Sequence, residues 1–440
     1  MPNFKEIGTC GAVERQDGVE NALLPLKTGC ISRQMTRSRA YLDHNASAPL
    51  RESARVAMID ALNMHGNASS VHGEGRSMRA LVERARNDVA ALVGAEADSV
   101  IFTGSATEAA HLALTPDIHS DGVSRGAGRL YVLATEHPCV LAGGRFREDQ
   151  ITQVPVLPNG LIDEAAFDAL LEAHDPETGM PYLAIQLVNS ETGVIQPVAE
   201  IAKKVRFKGG YVLCDAVQAA GRISIDATEL GADFLLVSAH KIGGPQGVGA
   251  LINAHRVLDI PPAICGGGQE QNKRAGTENV AAIAGFGAAA LEVAKEAPDF
   301  GRITTLRDSI EASLLPICLA NGLAPGRLTV FGGDAERVGN TLLFSVNGLK
   351  AETALIAFDL DGVAVSSGSA CSSGKVGRSH VLQAMGVDDK IAWGAVRISL
   401  GWNSNEEDVA HFKRSFERIA KRLGEMVPNE ELEQEFSGAA

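Results

Sequence analysis

Positive charge is scarce in this chain. Its 40 lysines and arginines stand against 54 aspartates and glutamates, for a formal net charge of −14. A protein that grips nucleic acid by its phosphates needs a basic face, so non-specific nucleic-acid binding is excluded as the main role. Long apolar runs are missing too. None approaches the roughly 18–20 residues that span a bilayer, so no transmembrane helix and no membrane partner are expected. The seven cysteines (10, 30, 139, 214, 265, 318 and 371) are odd in number, scattered and without a CxxC pair. That is neither a disulfide framework nor a zinc site; no resident metal is expected, and the pattern suits a reducing, cytoplasmic setting. Internal repeats and low-complexity tracts are absent. What remains is ordinary for a globular protein: 45% hydrophobic and 21% charged over 440 residues, enough for one large and one small domain sharing an interface.

Residues 1–40 are mixed and polar without periodicity, and 23–26 is too short for a signal-peptide core. They read as a poorly ordered extension; a translation start near Met35 explains them equally well. From Tyr41 the pattern is organised. A short strand and turn occupy 41–49, a helix 51–62, a polar glycine- and serine-rich loop 66–75, and then a helix capped by Ser77 and stopped at Gly94. Strand, loop and helix alternate after that. Strands are expected at 100–103, 130–134, 151–156, 183–188, 211–214, 234–237 and 248–252, with helices such as 164–173, 198–204 and 278–296 between them. Such alternation predicts an α/β fold with a mostly parallel sheet covered on both faces, and ligands bound at the carboxyl ends of its strands. Beyond Pro298 the pattern turns α+β, with strands at 328–331, 341–346, 363–366 and 396–400. The expected division is a large domain over 56–298, a smaller one from 41–55 plus 299–430, and a tail over 431–440.

The chain is organised around 233–249. An apolar run, 234–237, ends in Ser238, Ala239, His240 and Lys241 and then in a bend rich in glycine. An isolated lysine is usually a surface residue, but one placed straight after a buried strand can be held desolvated, its pKa lowered, ready to form a Schiff base. The commonest aldehyde in that role is pyridoxal phosphate (PLP). Other strand ends carry groups suited to it. Asp215 follows 211–214 and can pair with a protonated pyridine nitrogen, with Gln218 in reach of the ring oxygen; taken alone, Asp215 is as easily a helix cap. His137 follows 130–134 and can stack on the ring. Ser105, Ala106 and Thr107 open a helix whose free N–H groups suit a phosphate, with Ser238 and His240 as further donors. Cys371 lies in VAVSSGSACSSG, amid serines and glycines. Most exposed cysteines are spare thiols, yet a thiol on a long polar arm is what a group-transfer step requires, with Lys375, Arg378 or His380 as electropositive neighbours.

Ten motifs in order across some 380 residues carry a resemblance: YLDHNA, GNASSVH, FTGSATE, TEHPCV, VNSETG, CDAVQA, SAHKIGGPQGVG, RAGTEN, SSGSACSSG and VRISLG. The chain resembles the cysteine desulfurases of the class-V aminotransferase group, of the nitrogen-fixation and iron–sulfur-cluster type with a long loop around the catalytic cysteine. The resemblance implies the fold-type-I architecture of PLP-dependent transferases, PLP as cofactor, L-cysteine as substrate, a homodimer, and an iron–sulfur scaffold or other protein as sulfur acceptor. It implies that Lys241 carries PLP, that His137 stacks on the ring and moves protons, and that Asp215 and Gln218 meet the pyridine nitrogen and ring oxygen. Ala106, Thr107, Ser238 and His240 would bind phosphate with Thr277 of the neighbouring subunit, Asn189 and Arg397 the substrate carboxylate, and Cys371 would take the sulfur. Gly104-Ser105, Ser190 and Ala68 depart from the family's usual residues at supporting positions, which touches fine geometry and not the reaction class. Two alternatives stand beside this reading: another PLP enzyme of the class (selenocysteine lyase, kynureninase-like enzyme or aminotransferase), which has no need of Cys371, and an idle paralogue acting as a scaffold.

Overall fold

Apolar segments flanked by glycine-rich turns become strands here because both faces of the sheet they form are covered. In the computed structural model, residues 39–120, 122–254, 258–296, 300–368 and 378–426 are described. Cys371, residues 1–38 of the expected 1–40 extension and the 431–440 tail lie outside them; Ala40, placed in that extension, is instead buried in a short strand, Ala40–Tyr41. Among the described residues a seven-stranded sheet runs in the order Val100–Thr103, Gly249–Asn253, Phe234–Ser238, Tyr211–Asp215, Met180–Gln186, Ala127–Leu133, Ile151–Val154. Gly249–Asn253 is antiparallel to both its neighbours; the pairings from Phe234–Ser238 to Ile151–Val154 are parallel. The expected strand positions and the mostly parallel sheet are therefore observed, with ends shifted by a residue or a few.

The described residues belong to one compact unit that begins at Arg39. Apolar clusters cover the two faces of the large sheet, one including Val82, Val89 and Phe286, the other Ile101, Leu130, Tyr182 and Phe234. A further core joins Ala40 and Leu42 to Leu306, Phe344, Phe358, Phe412 and Phe416. It is built on a four-stranded antiparallel sheet in the order Leu328–Val330, Thr341–Val346, Val396–Ser399, Ser366–Ser367. Helix Glu406–Met426 seals it, burying Val409, Phe412, Phe416 and Ile419 at helical spacing.

One start differs from expectation. The second helix runs Gly73–Leu92, its first turn taken from the polar loop, and His72 rather than Ser77 caps it, accepting from the Gly75 N–H at 3.3 Å. Ser77 sits inside the helix and its hydroxyl turns back to the Gly73 carbonyl, the usual recourse of a mid-helix serine. The stop at Gly94 is as expected, in the left-handed conformation at φ 62°.

Candidate active site

The parallel strands deliver their polar residues to one end of the sheet. There Ala106, Thr107, His137, Asp215, Gln218, Ser238, His240 and Lys241 line a single cavity of ≈ 340 Å³. Lys241 ends the short turn Ala239–Lys241 directly after strand Phe234–Ser238. Its Nζ donates to the carbonyls of Asn45 at 2.6 Å and Ala46 at 2.9 Å, so the segment 43–48 lies across the cavity. The Ala48 N–H to His240 carbonyl bond at 2.9 Å pins that segment to the lysine turn.

Asp215 is the last residue of its strand and accepts from the Val217 N–H at 2.9 Å. Burial raises its pKa to about 6, against the Val217 N–H and the Lys241 charge, which lower it. Beside it Glu136 is fully buried and its Oε1 has no hydrogen-bond partner. Burial and then the Asp215 charge push the Glu136 carboxyl well above the usual range. Of the two acids, Glu136 keeps the proton and Asp215 the charge. Glu136 was not singled out from the sequence; its only signal is its place beside His137 in TEHP.

His137 caps helix Pro138–Leu141, and its Nδ1 accepts from the Cys139 N–H at 3.2 Å. That bond places the remaining ring proton on Nε2. Burial, then the charges of Lys241 and His380, hold the His137 pKa at about 4, so the ring is neutral and offers an N–H at physiological pH. Cys139 Sγ stands 3.0 Å from the same Nδ1. Its thiol is pushed up to about 12, chiefly by burial, which keeps this cavity cysteine from acting as a nucleophile.

Ser105, also in the cavity lining, caps helix Ala106–Ala113 by accepting from the Glu108 N–H at 3.1 Å. The close approach of this turn depends on Gly249: a Cβ there would lie 2.7 Å from the Ala106 nitrogen. Gln218 is turned by a neighbour also missed from the sequence. Arg222 donates to its side-chain oxygen, leaving Nε2 as the donor, now on the Asn45 carbonyl at 3.1 Å. Unlike these, Arg397 and Asn189 adjoin the cavity without lining it. Arg397 is 1% exposed; its Nη2 pairs with Asp43 at 2.9 Å, its Nη1 donates to Ser190 O at 3.2 Å, and its buried Nε has no partner. Asn189 is committed to its own turn: Oδ1 accepts from Glu191 N, Thr192 N and Thr192 Oγ1, and Nδ2 donates to Thr135 O. Only its second Nδ2 hydrogen is left for a substrate. Thr277 is exposed and lines a different cavity, with Gly104, Arg274 and Glu278.

The donor set fits PLP. One cavity is lined by a buried carboxylate, hydroxyl and imidazole groups, a helix start and an amine. A charged Asp215 in such a place calls for a cation, which a pyridinium supplies. Among the described residues no group of His, Cys, Asp and Glu could hold a metal ion, and no helix is long and apolar enough to cross a membrane.

Comparison with known proteins agrees with this geometry. The model of the aminotransferase class-V family matches residues 40–412. The cysteine desulfurase IscS of Dictyoglomus turgidum is 36% identical over 401 residues, covering 89% of this chain and 97% of that protein. The cysteine desulfurase of Enterobacter agglomerans is 35% identical over 394 residues, covering 88% and 94%. Among solved structures, a NifS-like protein from Rickettsia africae superposes with a TM-score of 0.76 at 32% identity, covering 87% of this chain and 99% of its own. The lysine, the acid and the helix start that line the cavity thus sit on the fold-type-I scaffold of PLP enzymes, and the chain belongs to the cysteine desulfurases of the aminotransferase class-V family.

Proposed function

We propose that this enzyme takes the sulfur of L-cysteine onto Cys371 and releases L-alanine. The observation that carries the reading is the placement of Lys241 Nζ in one cavity with Asp215 and His137. Bound PLP supplies an electron sink for the substrate α-carbon. Around it, Lys241 carries the cofactor and then, held by the Asn45 and Ala46 carbonyls, moves the α-proton. Asp215 would pair with the pyridine nitrogen, and the neutral His137 would lie against the ring and offer its Nε2–H. Gln218, whose oxygen is taken by Arg222, would offer its Nε2–H to the ring oxygen. Thr107, Ala106, Ser238 and His240 bind the phosphate, with Thr277 supplied across a homodimer. Asn189 and the free Nε edge of Arg397 receive the substrate carboxylate. Cys371 sulfur bonds to the substrate sulfur as the carbon–sulfur bond breaks. The bond's electron pair stays with carbon, which takes up a proton, so that cysteine and thiol become alanine and a Cys371 persulfide.

The persulfide then passes to an acceptor protein, an iron–sulfur scaffold or a nitrogenase-maturation partner, in the cytoplasm. A cysteine complex is known for the structural relative SspA, 25% identical at a TM-score of 0.63. We read 41–55 with 299–430 as the small domain and 56–298 as the PLP-bearing one; the core that joins Leu42 to Phe344 and Phe412 supports this for the start of 41–55, while Ala54 packs into the core of the large sheet. Mass spectrometry after incubation with L-cysteine tests the reaction: the peptide bearing Cys371 should gain about 32 Da, one sulfur, removable by a reductant. An unmodified peptide with alanine still produced would sink it. Selenocysteine assayed alongside, in wild type and Cys371→Ser, separates the lyase alternative, and size exclusion with light scattering reads the dimer.

A further inference from the structure

Glu191 is a buried carboxyl that none of the steps above uses. It is 4% exposed and follows Asn189 and Ser190 in the turn after strand Met180–Gln186. That turn is tightly held: Asn189 Oδ1 accepts from the Glu191 N–H at 2.9 Å, and the Ser190 carbonyl accepts from Arg397 Nη1 and from Asn45 Nδ2. The carboxyl is not part of the cavity lining; it meets residues on either side, in sequence, of the stretch 369–377 that contains Cys371. On one side the Ser379 hydroxyl, 4% exposed, donates to Glu191 Oε2 at 2.5 Å. The same hydroxyl accepts from the Leu382 N–H at 3.1 Å, capping helix His380–Ala384. On the other side lies Gly368, directly after strand Ser366–Ser367, whose register sets Ser366 opposite Arg397. A Cβ on Gly368 would stand 2.5 Å from Glu191 Oε2 and 3.4 Å from Ser379 Cβ. One carboxylate oxygen therefore meets both Gly368 and Ser379, which stand in the sequence on either side of the stretch that contains Cys371. Packing alone does not account for a carboxyl here, since an apolar side chain would fill the space without the cost of burying a polar group.

We propose that Glu191 is a positioning residue for sulfur transfer to Cys371, fixing Gly368 and Ser379, the described residues on either side of 369–377, against the turn that carries Asn189 and Ser190. The inference rests on Cys371 as the sulfur acceptor. Glu191 itself touches neither substrate nor cofactor. Its loss should therefore slow loading of Cys371 while leaving the encounter with L-cysteine intact.

The test uses the PLP-loaded enzyme and two readouts. One is the change in cofactor absorbance on titration with L-cysteine, which reports substrate binding. The other is the single-turnover rate of the sulfur gain at the Cys371 peptide. Glu191→Ala should load Cys371 about tenfold or more slowly, the scale of a lost hydrogen bond to a charged group, with the apparent constant for L-cysteine within about twofold of wild type. Glu191→Gln keeps an acceptor for Ser379 and should recover to within about threefold. Gly368→Ala displaces the carboxyl from the other side and should slow loading in the same selective way, which decides the matter if Glu191→Ala does not fold. Unchanged loading in Glu191→Ala and Gly368→Ala, or an equal loss in binding and loading, overturns the positioning role. Wild type that never gains sulfur at Cys371 overturns the desulfurase reading instead.

Discussion

The two halves of the site are built by different means. The half that lines the cavity hangs on the ends of parallel strands in one sheet: Lys241 after Phe234–Ser238, Asp215 closing Tyr211–Asp215, His137 soon after Ala127–Leu133. Each side chain is placed by a few neighbouring residues and a buried strand. The half around Arg397 and Glu191 is tied by contacts between distant segments: Arg397 to Asp43, Asn45 to Thr341, Glu191 to Ser379. A strand end is rigid because the whole sheet holds it, so its residue tolerates changes elsewhere. A pair joined across 190 or 350 positions depends on both partners, and buried charge makes the loss of either costly. The first half should lose chemistry when mutated and keep its fold; the second should lose both together.

The sharpest break in that comparison comes from Lys241 and Cys371, the residues proposed to carry the cofactor and to take the sulfur. Lys241→Ala and Cys371→Ser should each lower L-alanine formation on the order of 10⁴-fold or more, as removal of a covalent catalyst does. They should differ in absorbance: Lys241→Ala loses the band of the lysine-bound cofactor, whereas Cys371→Ser keeps it and still responds to L-cysteine. Alanine formed at an undiminished rate by Cys371→Ser would remove the sulfur arm from the mechanism.

Next in size is Arg397. Replacing it with alanine leaves Asp43 with a part-buried charge and, among the described residues, the Ser366 hydroxyl as the remaining side-chain donor to it. The expected cost is about 3–5 kcal/mol of stability, the range for breaking a buried pair, together with a large rise in KM for L-cysteine. Arg397→Lys should keep most of the stability and still lose the planar two-point grip. Chemical denaturation and steady-state kinetics on the two variants separate these effects. Asp215→Asn, by contrast, should leave the denaturation midpoint near wild type while weakening catalysis.

A smaller and pH-dependent effect belongs to Glu191. Burial, against the Ser379 hydroxyl and the Arg397 charge, raises its carboxyl from 4.5 to about 7. Between those values the folded protein keeps a proton that the unfolded chain has lost, so Glu191's contribution to stability falls as pH rises through that window. The gap corresponds to roughly 3 kcal/mol at full extent. Glu191→Gln cannot ionise. Its denaturation midpoint should therefore gain on wild type between pH 4.5 and 8, and a pH-independent difference would contradict the burial of that charge.

The same contrast governs what can be read from the amino-acid order. Strand positions, the parallel sheet and the residues lining the cofactor cavity follow from local signals: an apolar run, a polar residue at its end, a glycine bend. Lys241, Asp215, His137 and the Ser105 cap sit where those signals place them. Glu136 was invisible because its role comes from burial beside Asp215, which no spacing encodes. Arg222 and Glu191 were missed for a related reason. Arg222 looks like any arginine after a glycine, and Glu191 acquires a partner 188 positions away. The start of helix Gly73–Leu92 was misplaced because a histidine took the cap from a better capping residue further on. Asn189 was read by its motif as a substrate ligand, and its turn bonds appear only once the chain is folded.

Two serines, one in each half, allow the comparison to be tested at its finest scale. Ser105 caps the helix facing the phosphate site, and Ser379 caps the helix that follows the Cys371 segment; both accept a backbone N–H at 3.1 Å. As caps they are equivalent, and each alanine variant should lose about 1 kcal/mol. Ser379 alone also donates to a buried carboxyl. Above pH 7 that carboxyl is charged, so Ser379→Ala leaves it poorly solvated and should cost more than Ser105→Ala. Near pH 5 the carboxyl is protonated and the two variants should converge. Denaturation midpoints of both variants at pH 5 and pH 8 read the difference directly. Parallel behaviour at the two pH values would mean that Ser379 is a cap and nothing more, and that the two halves are tied together less closely than the Glu191 contact implies.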